Sequence, residues 1–247
     1  MKLTERDNQI LSDLELYRYM SGRQIKDLHF TSQQTFNRRM RLLGQAGKVK
    51  QIPDSTYYHL ATTRPPKSNL FMKHFENITD FRIHLQKNCA DNIAEFAFIP
   101  EYQITKDFSR YIADSADRIN HTPDGVVYLS NGRGNALCFL EIDRGTESLS
   151  NPTKGVYKTL LFYYYYGLNQ KHRRYQADFG HKFNSFHVLF VTTGDKRIEN
   201  MRNTQYKLPD RFKRFVWLAR QEDIIDLSKP VWKMLDADET ERFRLIT

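Results

Sequence analysis

The sequence predicts an α+β chain in two parts, a small basic helical domain carrying a β-hairpin and a larger mixed α/β domain. Two observations carry this. Residues 1–75 hold thirteen Lys+Arg against six Asp+Glu, leaving twenty-five against twenty-three of the chain's 38 and 29 for the rest, so +7 of the net +9 lies in the first third. The periodicity also changes: helical spacing dominates early, and short apolar runs of strand type alternate with helices later.

Thr4 with Asp7 three positions on is a capping-box-like start. Ile10, Leu11, Leu14 and Tyr17 then recur at helical spacing, giving a first helix of roughly 5–19. Ser21 with Gln24 marks a second start, and Ile25 and Leu28 make a short helix ending near Phe30. Thr31 and Ser32 offer the next N-cap, for a helix of about 32–46 closed by Gly47. In that third helix Phe36, Met40 and Leu43 form an apolar stripe. At 100° per residue Gln34, Asn37, Arg38 and Arg41 fall on the opposite face, and such side chains pair with base edges or grip phosphates. Lys48–Ile52 and Tyr57–Leu60 flank the turn signal Pro53-Asp54-Ser55-Thr56, a hairpin that brings Lys48 and Lys50 beside the helix. Helix, turn, helix and hairpin make a winged helix-turn-helix over 1–63, a reader of double-stranded DNA. The bland alternative is a small helical domain whose basic face is merely solvated. Arg64-Pro-Pro-Lys-Ser68 opens a linker expected over 64–76.

The second domain is expected over 77–247. It begins with a helix of about 78–91 (Phe81, Leu85 and Cys89 on one face) and a strand at 94–99. Strands at 122–129 and 136–143 follow, joined by the turn Asn131-Gly-Arg-Gly-Asn135. Next come a helix at 152–168, an apolar strand at 186–192, a polar helix near 195–205, a strand at 215–219 and a short helix at 231–235. Three antiparallel strands, a crossover helix and a parallel strand are the core layout of restriction-endonuclease-like, or PD-(D/E)xK, mixed α/β domains.

Pro123-Asp124 opens one strand of the hairpin and Glu141-Ile142-Asp143 closes its partner. Alternation sets Phe139, Glu141 and Asp143 on one face. Carboxylates so placed suit one Mg²⁺ or Mn²⁺, which orients water and neutralises charge on a phosphodiester. The alternative is a turn Asp and strand-end acids pairing with Arg144. Leu137–Leu140 is apolar, so Glu141 emerges where desolvation is costly without compensation. A nuclease of this type carries a Lys where Asp143 stands. Lys154 and Lys158, spaced i, i+4 on the next helix, are the substitutes, and Lys158 is the stronger one. Tyr163–Tyr166 read mainly as core, with one member left as a candidate to stack a base or attack a phosphate. His172–Tyr175 is a basic loop suited to backbone phosphate.

Other classes lose ground. The chain has no Walker A loop, no GxGxxG, no zinc-ligand spacing and no His-x-His pair. Cys89 and Cys138 lie in apolar settings and read as buried free thiols of a reducing compartment. No signal-peptide pattern opens the sequence and no apolar run reaches the ~18 residues of a bilayer span, so a cytoplasmic protein is expected.

Phe36-Asn-Arg-Arg-Met-Arg-Leu-Leu43, His74-Phe-Glu-Asn-Ile-Thr-Asp80, Pro123-Asp124, Phe139-Leu-Glu-Ile-Asp-Arg-Gly-Thr-Glu147 and Lys158 together resemble the replication-relaxation family of plasmid and mobile-element proteins. That family includes the MobC-type mobilisation relaxases. The resemblance implies a winged helix joined to a PD-(D/E)xK-like domain that nicks supercoiled DNA at an origin. It carries the acidic roles onto Asp124, Glu141 and Asp143 and the helical Lys onto Lys158, and it implies accessory mobilisation or replication proteins as partners. Asp143 departs from the nuclease pattern, which leaves open an origin-binding accessory with a degenerate nuclease-like domain. A repressor with a ligand-sensing second domain fits the first part but leaves the carboxylates unexplained. A homodimer on inverted repeats is compatible with the winged helix, though no coiled-coil signature marks one.

Overall fold

The computed structural model describes residues 2–64, 69–88, 93–104, 121–132, 134–236 and 241–245. Cys89 lies outside them. The chain is α+β and divides into two compact units, Met1–Ile83 and His84–Thr247.

In the first unit α1 (Glu5–Tyr17) starts on a full capping box, with Thr4 accepting from the Asp7 backbone and Asp7 from that of Thr4. It stops two residues short of the expected end because Met20–Ser21 form a strand, β1, that pairs with Tyr57–Tyr58. Ser21 and Gln24 form the second capping box, at the start of α2 (Gly22–His29). Ser32 caps α3 (Gln33–Gln45), whose Phe36, Met40 and Leu43 are buried as the stripe requires. Gly47, at φ 65°, turns the chain into β2 (Val49–Gln51), and β3 (Tyr57–Leu60) returns antiparallel to it. The resulting sheet has the order β1-β3-β2.

The linker reading fails from position 69 onward. Residues 69–76 are the first turns of α4 (Asn69–Asn88), a helix expected only from 78. The Arg64–Ser68 prolines draw attention to a break, but the helix that follows is bound into the first unit. Arg23 donates to both Asp80 oxygens at 2.7 Å, Gln24 Nε2 to the Glu76 carbonyl at 2.9 Å and to Asp80 Oδ1 at 2.7 Å, and Tyr57 to Glu76 at 2.8 Å. Phe75 packs its ring 5.6 Å from that of Tyr19.

The second unit is built on a six-stranded mixed sheet, in the order β4 (Glu95–Pro100), β5 (Gly125–Ser130), β6 (Asn135–Ile142), β7 (His187–Thr192), β8 (Val216–Arg220) and β9 (Lys233–Met234). The pairs β4·β5 and β5·β6 are antiparallel, β6·β7 and β7·β8 parallel, and β8·β9 antiparallel. The crossovers carry α5 (Val156–Leu168) and α7 (Asp195–Asn203), with short helices α6 (Tyr175–Phe179) and α8 (Asp210–Lys213) between elements. β5 to β8 are buried almost throughout, and Leu137, Phe139, Val188, Phe190, Val216 and Leu218 share one core cluster with α5.

Three expectations change here. The helix expected at 231–235 is the edge strand β9, because Lys233 and Met234 pair antiparallel with Leu218 and Trp217 of β8 and the Leu235 N–H bonds to the Val216 carbonyl at 2.9 Å, although Val231, Trp232 and Leu235 are buried at helix-like spacing. The helix expected from 152 begins at Val156, so Lys154 lies in the turn before it rather than one turn below Lys158. The basic loop His172–Tyr175 is one 3₁₀ turn, Lys171–Arg174, leading into α6, with His172 buried. No helix among the described residues is long and apolar enough to cross a membrane.

Candidate functional site

In the first unit, Gln34, Asn37, Arg38, Arg41, Lys48 and Lys50 are all exposed. Arg39 is not part of that face. It turns inward to bind the carboxylate of Asp7, which is fully buried at the capping box of α1. The bond to Arg39 holds the Asp7 carboxyl far below the ordinary carboxylate range. One arginine of the Arg38-Arg39 pair therefore braces the helix and the other projects from it. The Gln33 amide donates to Asn37 Oδ1 at 2.8 Å, ordering the start of the polar face. In the second unit, the chain end of β4, the start of β5 and the carboxyl ends of β6 and β7 meet at one edge of the sheet. Ligands of mixed α/β sheets gather beyond such strand ends.

Asp124 immediately precedes β5. Its backbone N–H bonds to the Leu140 carbonyl at 3.0 Å, and its Oδ2 accepts the Ile142 N–H at 2.6 Å. The side chain thus extends the β5·β6 ladder by one rung, which fixes the carboxylate beside the end of β6. Glu101, just past β4, donates its backbone N–H to the Asp124 carbonyl at 3.0 Å, and the two residues bring carboxylate oxygens within 4.8 Å of each other. These oxygens could hold a cation.

Glu141 lies on the same face of β6 as Phe139 and is 7% exposed. Its Oε1 accepts from the Tyr163 hydroxyl of α5 and lies 2.6 Å from His121 Nε2. The rings of Phe162 and Tyr163 stand nearly edge-on to the imidazole at 5.3 and 5.6 Å. Burial lifts the Glu141 carboxyl above its ordinary value, offset in part by His121. Burial also opposes a charged His121, but the charge and hydrogen bond of Glu141, with Asp124 behind, hold the imidazole above its usual range. Lys158, half-buried on α5, is near enough for its charge to act against that protonation.

Asp143 does not join this group. Thr192 and Arg197 Nε donate to its Oδ2, both at 2.8 Å, while Arg197 Nη2 and the Gly145 N–H donate to its Oδ1, both at 3.0 Å. Four donors fill a carboxylate's acceptor sites. The metal set Asp124, Glu141 and Asp143 therefore does not form as the spacing suggested. Asp143 faces a guanidinium reaching back from α7, Glu141 faces a histidine, and Asp124 has Glu101 as its carboxylate neighbour.

Tyr163 is the inward member of the tyrosine run, and Tyr166 is also buried in the core, while Tyr164 and Tyr165 are partly buried. Sequence reasoning missed His121, Glu101 and Arg197. His121 stands two residues before Pro123-Asp124, and Glu101 follows the last proline of β4, so proximity to a strand mouth was the available signal. Arg197 offered none, because its partner lies fifty-four residues away. The chain matches no family model, no curated protein and no solved structure.

Proposed function

We propose that this protein binds double-stranded DNA through a winged helix and nicks it, with Mg²⁺ or Mn²⁺, in a PD-(D/E)xK-like second domain. The observation that carries the cutting reading is the gathering of Glu101, Asp124, Glu141, His121 and Lys158 at one end of a mixed sheet in which a helical crossover joins β6 to the parallel strand β7. Glu101 and Asp124 would hold the cation, which neutralises charge on the phosphodiester when bound. Lys158 adds positive charge on the helix side. On α3, Gln34 and Asn37 offer bidentate amides for adenine, and Arg38 and Arg41 offer forks for guanine or phosphate. Lys48 and Lys50 would meet the backbone from the wing. The resemblance to the replication-relaxation family is in keeping with this reading and suggests an origin of transfer or replication as the target, with accessory mobilisation or replication proteins as partners.

A second reading has its own support. The capture of Asp143 by Arg197 removes a carboxylate that a nuclease of this type would use, which favours a DNA-binding accessory whose second domain no longer cuts.

One experiment decides between them. Purified protein is incubated with supercoiled origin plasmid and Mg²⁺ or Mn²⁺, alongside Asp124→Asn, and duplex binding is followed in parallel. Open-circular product that the variant fails to make supports the nickase. Binding without nicking by the wild type sinks it in favour of the accessory.

A further inference from the structure

We propose that His121 is the general base of strand cleavage, taking a proton from the attacking water on Nδ1 while Glu141 holds its Nε2–H. The inference rests on the nicking reading and adds the residue that handles the proton. The sequence position where a nuclease lysine would stand is Asp143, and Asp143 is committed to Arg197. His121 fills the gap from another direction, on the chain leading into Asp124.

The geometry is that of a base oriented by a carboxylate. Glu141 Oε1 lies 2.6 Å from Nε2, which selects the tautomer with its proton on that nitrogen and leaves the Nδ1 lone pair as the acceptor. Tyr163 bonds the same oxygen from α5, so the carboxylate is pinned on two sides. The rings of Phe162 and Tyr163 fix the imidazole plane. The His121 side chain keeps 19% of its surface, against 10% for that of Glu141, so of the two it is the one that water can better reach. Burial of Glu141 makes an unpaired carboxylate expensive there, and the forming imidazolium compensates it.

The step balances without a redox partner. Water oxygen forms a bond to phosphorus as its proton moves to Nδ1. The bond from phosphorus to the leaving deoxyribose oxygen breaks, and that alkoxide takes a proton from solvent. The products are a phosphomonoester end and a free hydroxyl, and the imidazolium returns its proton to solvent. The groups that face His121 are Glu141 of β6, Asp124 before β5, and Lys158 and Tyr163 of α5. The two carboxylates favour the protonated ring, and the Lys158 ammonium opposes it.

The test is nicking of supercoiled plasmid between about pH 5.5 and 9, with duplex affinity measured at each pH. The wild type should lose rate as pH falls, along a limb set by one proton. His121→Gln should cut at least ~10²-fold more slowly, bind duplex as tightly as the wild type, lose the limb, and recover rate with added imidazole. Glu141→Gln should move the limb to lower pH. Wild-type rate and limb in His121→Gln would overturn the proposal, as would an equal loss at every pH with the limb retained, the mark of a structural pair. A wild type without an acid limb overturns it whether or not the variants fold, leaving the nicking reading intact. Duplex binding with no cutting by the wild type overturns both.

Discussion

Arg197 grips Asp143 with a two-pronged bond, Nε to Oδ2 at 2.8 Å and Nη2 to Oδ1 at 3.0 Å, and extends Nη2 to the Glu147 carbonyl at 2.8 Å. The pair ties α7 to the end of β6 and to the loop after it. Asp143 is 6% exposed, so removing the guanidinium strands a buried carboxylate. Arg197→Met should cost about 3 kcal/mol in urea unfolding. Replacing both partners together, as Asp143→Asn with Arg197→Met, should recover part of that loss. If the single variant unfolds at the wild-type midpoint, the bridge does not hold this end of the sheet.

On α3 the neighbours Arg38 and Arg39 should behave oppositely. Arg38→Ala should weaken duplex binding with little change in thermal stability, and its salt slope should drop by about one if the contact is to phosphate. A contact to a base edge would instead cost about 1–3 kcal/mol at one position of the site. Arg39→Ala should lower the stability of the first unit, because it leaves the buried Asp7 carboxylate without its counter-charge. Titration calorimetry and thermal melts of both variants separate the roles. Equal loss of affinity in the two would contradict them.

That contrast marks where the sequence was readable. Capping boxes at Thr4 and Ser21 are local, four-residue signals, and both formed as written. The apolar stripe Phe36, Met40, Leu43 was equally plain, as were most strands of the second unit, whose apolar runs are buried on both faces. Arg39 differs from Arg38 only in its angle around the helix and in what stands across from it. That partner, Asp7, is thirty-two residues away. The same limit hid the candidate site. Asp124 and Glu141 were visible through strand-end position, whereas the partners of Asp143 and Glu141 come from chain segments that meet only once the sheet has formed. The linker reading failed for a related reason: prolines mark a break in regular structure, but not how soon the next helix starts.

If Glu101 and Asp124 hold a cation, the ion should be measurable without any cutting. Mn²⁺ binding followed by electron paramagnetic resonance should show a site in the wild type that Glu101→Gln weakens about tenfold or more and Asp124→Asn abolishes. Bound ion should also raise the thermal midpoint by mass action, an increment that chelation removes. Unchanged Mn²⁺ affinity in both variants would move the ion elsewhere.

Gly155 should tolerate no side chain. It stands at φ 74°, just before α5, where an added Cβ would lie 2.3 Å from the Ser148 carbonyl oxygen. The Val156 N–H bonds to that same oxygen at 3.0 Å, so the close approach starts the helix that carries Lys158 and Tyr163. Gly155→Ala should cost more than the ~1 kcal/mol of an ordinary left-handed position, because backbone would have to move as well. A melt unchanged from the wild type would refute this.

Acid should weaken the second unit before the first. His187, at the start of β7, packs 4.3 Å from the Trp217 ring, and burial pushes its imidazole down to about 4. A histidine with a depressed value binds fewer protons folded than unfolded. Stability is then unaffected above the ordinary value near 6.5, falls as pH drops below it, and levels off under about 4. The loss over that window is on the order of 3 kcal/mol, at 1.36 kcal/mol per unit. Asp7 has the opposite arrangement: its lowered value gives the first unit stability that is complete above the ordinary carboxylate range and is lost only below it. Both tryptophans, Trp217 and Trp232, lie in the second unit, so their fluorescence in urea follows that unit alone. Its midpoint should fall between pH 6.5 and 4, and His187→Leu should flatten the fall. A parallel decline in wild type and variant would assign the acid sensitivity to other groups.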